Sequence, residues 1–352
     1  MTGQLGVRAR AILALAALGV IGISALADPP APVNAAVKAG SSDVAMFQSV
    51  VGRVRAGAPY YATMGDELRR GHYPARQVFN WRTPLLLRAL AAVPTAVAAS
   101  ALIALSVALV VFTVMIMARQ PRAIAATVVF MQSGVLMTIA VPAALAMGEM
   151  WAGLLIGLSV CAYLRRRPMT GVIFGLLALF VRELSAPYCV VCTIVAVVNR
   201  RWREAAAWLC GASLYSVYYT WHFLQVRAHQ LPSDLAQPSS WMEFGGLRFL
   251  LSAVQWHAWL LLTPIAASVL ALLLVLAGIC ATKTPIHVRL ASAVYVLFFL
   301  IAGKSFNQYW GMMAWPTWAF ACGYGVDAIR ESIRNAFGLV WAPGGASRLV
   351  QL

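Results

Sequence analysis

The sequence predicts an all-α protein, a single polytopic bundle of about ten transmembrane helices that occupies residues 1–352. Two observations predict this fold class. Hydrophobic residues make up 61% of the chain and charged residues only 11%, whereas soluble domains carry about 25% charged residues. In addition, apolar runs approaching the roughly 20 residues needed to cross a bilayer recur along the whole chain. Because no low-complexity linker or internal repeat divides these runs, we expect one membrane domain.

The predicted spans follow from these apolar runs. The first run is preceded by Arg8 and Arg10 and ends in Ala-Leu-Ala before Asp28, so it also has the pattern of a cleaved signal peptide. Both interpretations place residue 28 outside the cytoplasm, and we expect the segment to be retained. The predicted segments are 11–27, 86–117, 123–146, 150–164, 169–182, 185–199, 204–222, 256–281, 288–303 and 309–328.

Basic residues predict the orientation of this bundle. The net charge is +16, and most basic residues lie in every second short loop, as in Arg165-Arg166-Arg167. Short basic loops stay in the cytoplasm, so both termini are predicted to be cytoplasmic in a multi-pass protein of the plasma (inner) membrane. The lipid bilayer is then the partner that explains the charge, and no nucleic-acid partner is predicted.

The same orientation predicts two long external loops, 28–85 and 223–255. The first loop is expected to carry two amphipathic interfacial helices. One covers 43–55, where apolar residues recur at helical spacing. Ser41 or Ser42 would cap it and Asp43 would lie in its first turn, where the helix dipole favours a carboxylate. Pro59 is expected to open the second helix and Gly71 to end it.

The unusual polar residues fall mostly on the external side and predict a polar cavity there. Asp43 is the candidate catalytic base, and the alternative is a structural carboxylate at a helix start. Arg182 either holds a phosphate or belongs to an interfacial turn whose charges are exposed to water or paired. The simpler interpretation of Glu149 is a solvated loop carboxylate. For Lys304 it is a side chain at the end of a span that extends its ammonium group to the membrane surface. The predicted substrate-binding residues are Tyr60, Tyr61, Arg82, Glu149, Arg182, Glu183, Lys304, Asn307 and Tyr309.

The first loop also carries a family resemblance. Its pattern is Asp43-x3-Phe47, then Ala56-Gly57-Ala58-Pro59-Tyr60-Tyr61, Gly71-His72-Tyr73-Pro74 and Arg82-Thr83-Pro84-Leu85, with Phe180-Val181-Arg182-Glu183 further on. With this pattern the chain resembles the polytopic glycosyltransferases of the GT-C superfamily, in particular the bacterial mannosyl- and arabinosyltransferase branches. In those families a first span leads into a long external loop with an essential acidic residue.

The resemblance implies a membrane glycosyltransferase. Such an enzyme would move a sugar, with inversion, from a polyprenyl-phosphate donor to a hydroxyl of a glycan, lipid or protein acceptor on the extracytoplasmic face. Asp43 would be the base, and Arg82, Arg182 and Lys304 would stabilise the leaving phosphate. No cofactor is expected, because no histidine has metal-ligand spacing. A divalent metal is an open alternative that the sequence does not indicate, since Val44 and not a second acid follows Asp43. The alternatives are a polytopic transporter or lipid flippase, and an assembly protein without catalysis.

Overall fold

The computed structural model describes residues 33–137, 145–236 and 244–337 and, from Asp43 onward, their side chains apart from those of residues 137, 305 and 335–337. Within these residues the protein consists of thirteen α-helices with short 3-10 turns and contains no strand, which confirms the all-α prediction. The helices are α1 Val33–Arg55, α2 Tyr60–Arg70, α3 Pro84–Ala92, α4 Thr95–Met117, α5 Arg122–Met137, α6 Gly148–Leu164, α7 Pro168–Val181, α8 Ala186–Val198, α9 Trp202–His229, α10 Gly246–Gln255, α11 Ile265–Cys280, α12 Ile286–Ile301 and α13 Gly311–Phe337.

One described helix, Thr95–Met117, is long and apolar enough to cross a membrane by itself. Six further described helical segments are apolar but shorter, with 10–17 residues. The predicted count of about ten spans therefore stays a prediction. The predicted first span, 11–27, lies outside the described residues, as do 138–144 and 237–243.

The long predicted segment 86–117 is interrupted. Val93 is extended and Pro94 caps the helix that follows, so α3 ends at Ala92 and α4 begins at Thr95. Proline disfavours the α conformation in the residue before it, which explains the break. The predicted span 256–281 likewise begins only at Ile265, directly after Pro264.

The segment predicted to form the first external loop contains both expected helices, but one boundary was wrong. The second helix, Tyr60–Arg70, starts after Pro59 and is capped by Gly71, as predicted. The first extends from Val33 to Arg55, so Asp43 lies in its middle. Neither Ser41 nor Ser42 caps it, and the helix dipole is no explanation for the carboxylate of Asp43, since its effect fades after the first turn.

The core is built around α13, which packs against α5, α6, α11 and α12. A Cβ on Gly278 would lie 2.0 Å from the carbonyl oxygen of Ala321, and one on Gly325 would lie 2.0 Å from that of Leu274. Small residues permit such backbone approach, and α11 and α13 therefore touch directly. A second hydrophobic cluster joins α1, α2 and α3 through Phe47, Val50, Met64, Trp81 and Leu87.

Candidate functional site

A buried carboxylate stands at the centre of the polar cluster. Glu149 is the second residue of α6 and only 1% exposed. Its Oε1 lies 2.7 Å from Nε of Arg182 and 3.2 Å from Nη2 of Arg82. A helix N-terminus favours a negative charge, and two guanidinium groups complete its neutralisation. The carboxylate thus joins the start of α6 to two segments that are distant in sequence.

Arg182 is sealed inside the protein. It is an extended residue between α7 and the turn Glu183–Ser185, and it is 1% exposed. Its Nε donates to Glu149 and its Nη1 pairs with Glu183. The charges of the predicted turn are paired and not exposed to water, since the guanidinium of Arg182 is buried between two carboxylates. Its two ion pairs indicate that Arg182 positions Glu149 and Glu183.

The side chain of Arg82 is less deeply buried than that of Arg182. The hydroxyl of Tyr60 donates to the carbonyl oxygen of Arg82 over 2.6 Å, which fixes this backbone segment. The guanidinium lies 5.1 Å from the ring centroid of Phe47, and Nη2 is 3.3 Å from the hydroxyl of Tyr309. The side chain keeps 16% exposure. Within the described residues its Nε and Nη1 make no hydrogen bond.

The charge of Arg82 is stabilised by its neighbours. Burial alone would lower the pKa of Arg82, but the nearby Glu149, Tyr309 and Asp43 raise it above its ordinary value. Asp43 therefore belongs to the electrostatic environment of Arg82.

Asp43 itself is bound by a residue that sequence reasoning did not assign to the site. The hydroxyl of Tyr73 donates a hydrogen bond to Oδ1 of Asp43. Tyr73 reaches this position because α2 ends at Gly71 and His72 then takes a left-handed conformation with φ 55°. A Cβ on Gly71 would lie 2.5 Å from the Tyr73 ring, so only glycine leaves room for it. The sequence signal is the tetrapeptide Gly71-His72-Tyr73-Pro74 at a predicted helix end.

The remaining candidates fall into two groups. Lys304, Asn307 and Tyr309 are buried in the segment before α13, and this segment contacts α1. Tyr61 points elsewhere: its hydroxyl donates to Nδ1 of His222 over 2.9 Å, and Nε2 of His222 donates to the carbonyl oxygen of Trp81. The structure brings together the side chains of Asp43, Arg82, Glu149, Arg182, Glu183 and Tyr309. The Tyr60 hydroxyl reaches only the backbone of Arg82, and the Tyr61 hydroxyl binds His222 instead.

The described residues contain no group of three or more His, Cys, Asp or Glu side chains arranged to hold a metal ion. The chain matches no protein-family model, no curated protein and no solved structure.

Proposed function

We propose that the protein is a membrane glycosyltransferase which transfers a sugar from a polyprenyl-phosphate donor to an acceptor hydroxyl at the extracytoplasmic end of its helices. The observation that carries this proposal is the cluster of one accessible arginine, Arg82, and one hydrogen-bonded carboxylate, Asp43, on a base of buried ion pairs. A phosphate needs a cation, and an attacking hydroxyl needs a base. Both groups lie in one site.

The surface of the described helices supports a membrane setting. Large apolar side chains are exposed on α4, α7, α9 and α12, for example Val111, Ile173, Val217 and Leu297. Soluble monomers rarely expose large contiguous apolar patches, because the hydrophobic effect opposes it. The interior instead holds charged side chains such as Glu149 and Arg182, which at membrane depth must be paired. An apolar exterior around a paired polar interior is the arrangement expected in lipid.

The proposed reaction is a single displacement. Asp43 accepts the proton of the acceptor hydroxyl while the hydroxyl oxygen forms a bond to the anomeric carbon of the donor. The bond from that carbon to the phosphate oxygen breaks, and its electron pair leaves with the polyprenyl phosphate. Arg82 donates to this phosphate, whose charge grows as the bond breaks. Attack from the side opposite the phosphate inverts the anomeric centre.

The surrounding residues position these two groups. Tyr73 fixes one oxygen of Asp43 and leaves the other to the acceptor. Glu149 forms an ion pair with Arg82, and the Arg82 guanidinium lies over the ring of Phe47. Arg182 in turn donates to Glu149 and keeps it in place. Rigid support of this kind preserves the geometry on which proton transfer and phosphate binding depend. In this proposal Arg182 is a positioning residue, and Arg82 contacts the phosphate.

The test is an Asp43→Asn variant in membranes that receive a panel of labelled polyprenyl-phosphate hexoses and pentoses. Label in the glycan, lipid and protein fractions is measured per folded protein. We expect transfer to fall about 10²–10⁴-fold, since this is the usual contribution of a general base.

Asp66→Asn is the matched control. Asp66 lies in the same loop, pairs with Arg53 and is 50% exposed, so its loss should leave transfer unchanged. No transfer by the unaltered protein with any donor of the panel, or full transfer by a folded Asp43→Asn variant, would contradict the proposal.

A further inference from the structure

A cavity lies beside α1, and none of the residues of the ion-pair cluster line it. It measures about 270 Å³ and opens between α1, α3, the start of α4 and the residues before α6. Its lining is mostly apolar, with Val51, Leu90, Ala98, Leu145 and Ala146 beside the polar Gln48, Thr95 and Arg55. This volume equals about nine liquid waters at roughly 30 Å³ each, in walls that offer water few partners. A short length of hydrocarbon suits such a lining better than water does.

The cavity lies where hydrocarbon would be available. Thr95 and Ala98 in its wall belong to the first turn of α4, the described helix that can cross a membrane by itself. Val97 in the same turn is exposed. In the proposed membrane setting, the first turn of such a helix stands at the boundary between headgroups and acyl chains. The cavity is thus open to the lipid that surrounds α4.

Arg55 adds an uncompensated charge to the rim. Its Nη2 donates to the carbonyl oxygens of Leu90 (2.8 Å) and Val93 (3.0 Å), its Nε to that of Ala91, and its Nη1 to the hydroxyl of Thr95. These bonds cap the end of α3 and explain why the side chain is ordered. All of the acceptors are neutral, and no carboxylate among the described residues pairs with Arg55. The exposed guanidinium therefore still attracts an anion.

We infer that this cavity is a binding site for an anionic membrane lipid, with part of one acyl chain between α1 and α4 and the headgroup phosphate at Arg55. The inference rests on the membrane setting of the proposed function and is independent of the transfer reaction. Because α1 also carries Asp43 and Phe47, a bound lipid would stabilise the position of the helix that contributes these residues to the candidate site.

The glycine at position 52 provides a sharp test. Gly52 lines the cavity, and a Cβ placed on it meets no atom within 4 Å. Gly52→Leu would place a side chain in the cavity without a clash in the fold. Gly52→Ala is the matched control, since it makes the same change in backbone freedom but leaves most of the volume empty.

The purified protein is exchanged into nanodiscs of phosphatidylcholine and phosphatidylglycerol, and the lipid retained after transfer to detergent is counted by native mass spectrometry. We expect the unaltered protein and Gly52→Ala to retain phosphatidylglycerol, and Gly52→Leu to retain at least fivefold less. Arg55→Gln should lose the preference for phosphatidylglycerol, whereas Arg88→Gln, which removes an exposed charge from α3, should keep it. Added inorganic phosphate should not displace the lipid.

Equal retention by Gly52→Leu and Gly52→Ala, or no retained lipid in the unaltered protein, would overturn the inference. Displacement by inorganic phosphate alone would also overturn it, because the acyl chain would then contribute nothing. Sugar transfer is measured on the same samples. Lipid retention without transfer contradicts the proposed function only, and transfer without lipid retention contradicts this inference only.

Discussion

A buried glutamate lies at each end of α6, Glu149 on the helix itself and Glu204 on the neighbouring α9, and the two sites are built differently. Glu149 lies at the start of the helix and Tyr163, which donates to Glu204, lies near its end. Glu149 and Tyr163 are 14 positions apart in α6, which corresponds to about 21 Å at 1.5 Å per residue. Both glutamates pair with an arginine, Arg182 in one site and Arg201 in the other.

The site of Glu204 is made by helix residues that bind one another. Tyr163 donates to Glu204 over 2.9 Å, Trp208 donates to the Tyr163 hydroxyl over 3.0 Å, and the Tyr163 ring stacks on His287 at 3.8 Å. It joins α6, α9 and α12. The site of Glu149 draws instead on the ends of helices and on the loop around Arg82, and Arg82 keeps unused donors. The difference indicates that the site of Glu204 holds helices together and that the site of Glu149 is prepared to bind a ligand.

Replacing each glutamate should expose this difference in stability. Glu149→Gln leaves the fully buried Arg182 without its main counter-charge, so we expect a loss of about 3–5 kcal/mol. Glu204→Gln should cost only about 1–2 kcal/mol, because Arg201 is 35% exposed and can turn to water. Denaturant unfolding of the purified variants measures both. Equal losses would show that the two sites do not differ in burial of their charges.

The hydrogen bond of Tyr73 should matter for the reaction more than for the fold. Tyr73→Phe removes the donor that fixes Asp43, and we expect about tenfold slower transfer because the base is less well aligned. Tyr61→Phe is the control, since it also removes a hydrogen bond from a buried hydroxyl, but one to His222. It should leave the rate per folded protein unchanged. A similar loss of rate in both variants would assign Tyr73 a purely structural role.

The ion pair between Arg69 and Asp234 is expected to give the smallest change in stability. Burial opposes the charge of Asp234, but hydrogen bonds from Arg69 and from the backbone N–H of Leu231 hold its pKa below the ordinary value. A pKa lowered by folding adds stability that is present above the unfolded pKa and disappears as the pH falls through the folded one. Asp234→Asn should therefore cost about 1–2 kcal/mol at neutral pH. The difference should begin to shrink near the unfolded pKa of about 4 and vanish only below the lowered pKa of the folded state. A pH-independent difference between the two proteins would contradict this assignment.

The sequence could predict part of this arrangement. The alternation of basic loops predicts that the segments of Arg82, Glu149, Arg182 and Tyr309 lie on one side of the bundle, and in the structure these four side chains do meet in one site. Pro59 and Gly71 marked the ends of α2 through local backbone chemistry. The position of Asp43 within α1 could not be predicted, because Ser41 and Ser42 are strong capping residues and the helix nevertheless continues through them.

Other features depend on contacts that no local pattern encodes. The Tyr73 hydroxyl meets Asp43 only because His72 adopts a left-handed conformation, which is uncommon outside glycine. The site of Glu204 joins Tyr163, Trp208 and His287 from three helices, and each of these residues alone resembles an ordinary core or interface side chain. The accessibility of Arg82 and the burial of Arg182 likewise follow from packing, since both are arginines at the end of an apolar segment.

The most direct test compares the two partly exposed arginines that pair with these glutamates. Arg82→Gln and Arg201→Gln each remove one charge from one end of α6, and the transfer rate per folded protein is measured for both in the same membranes. Our account predicts a loss of about 100-fold for Arg82→Gln, the size expected for one donor to a developing negative charge, and an unchanged rate for Arg201→Gln. Equal rates in the two variants would contradict it.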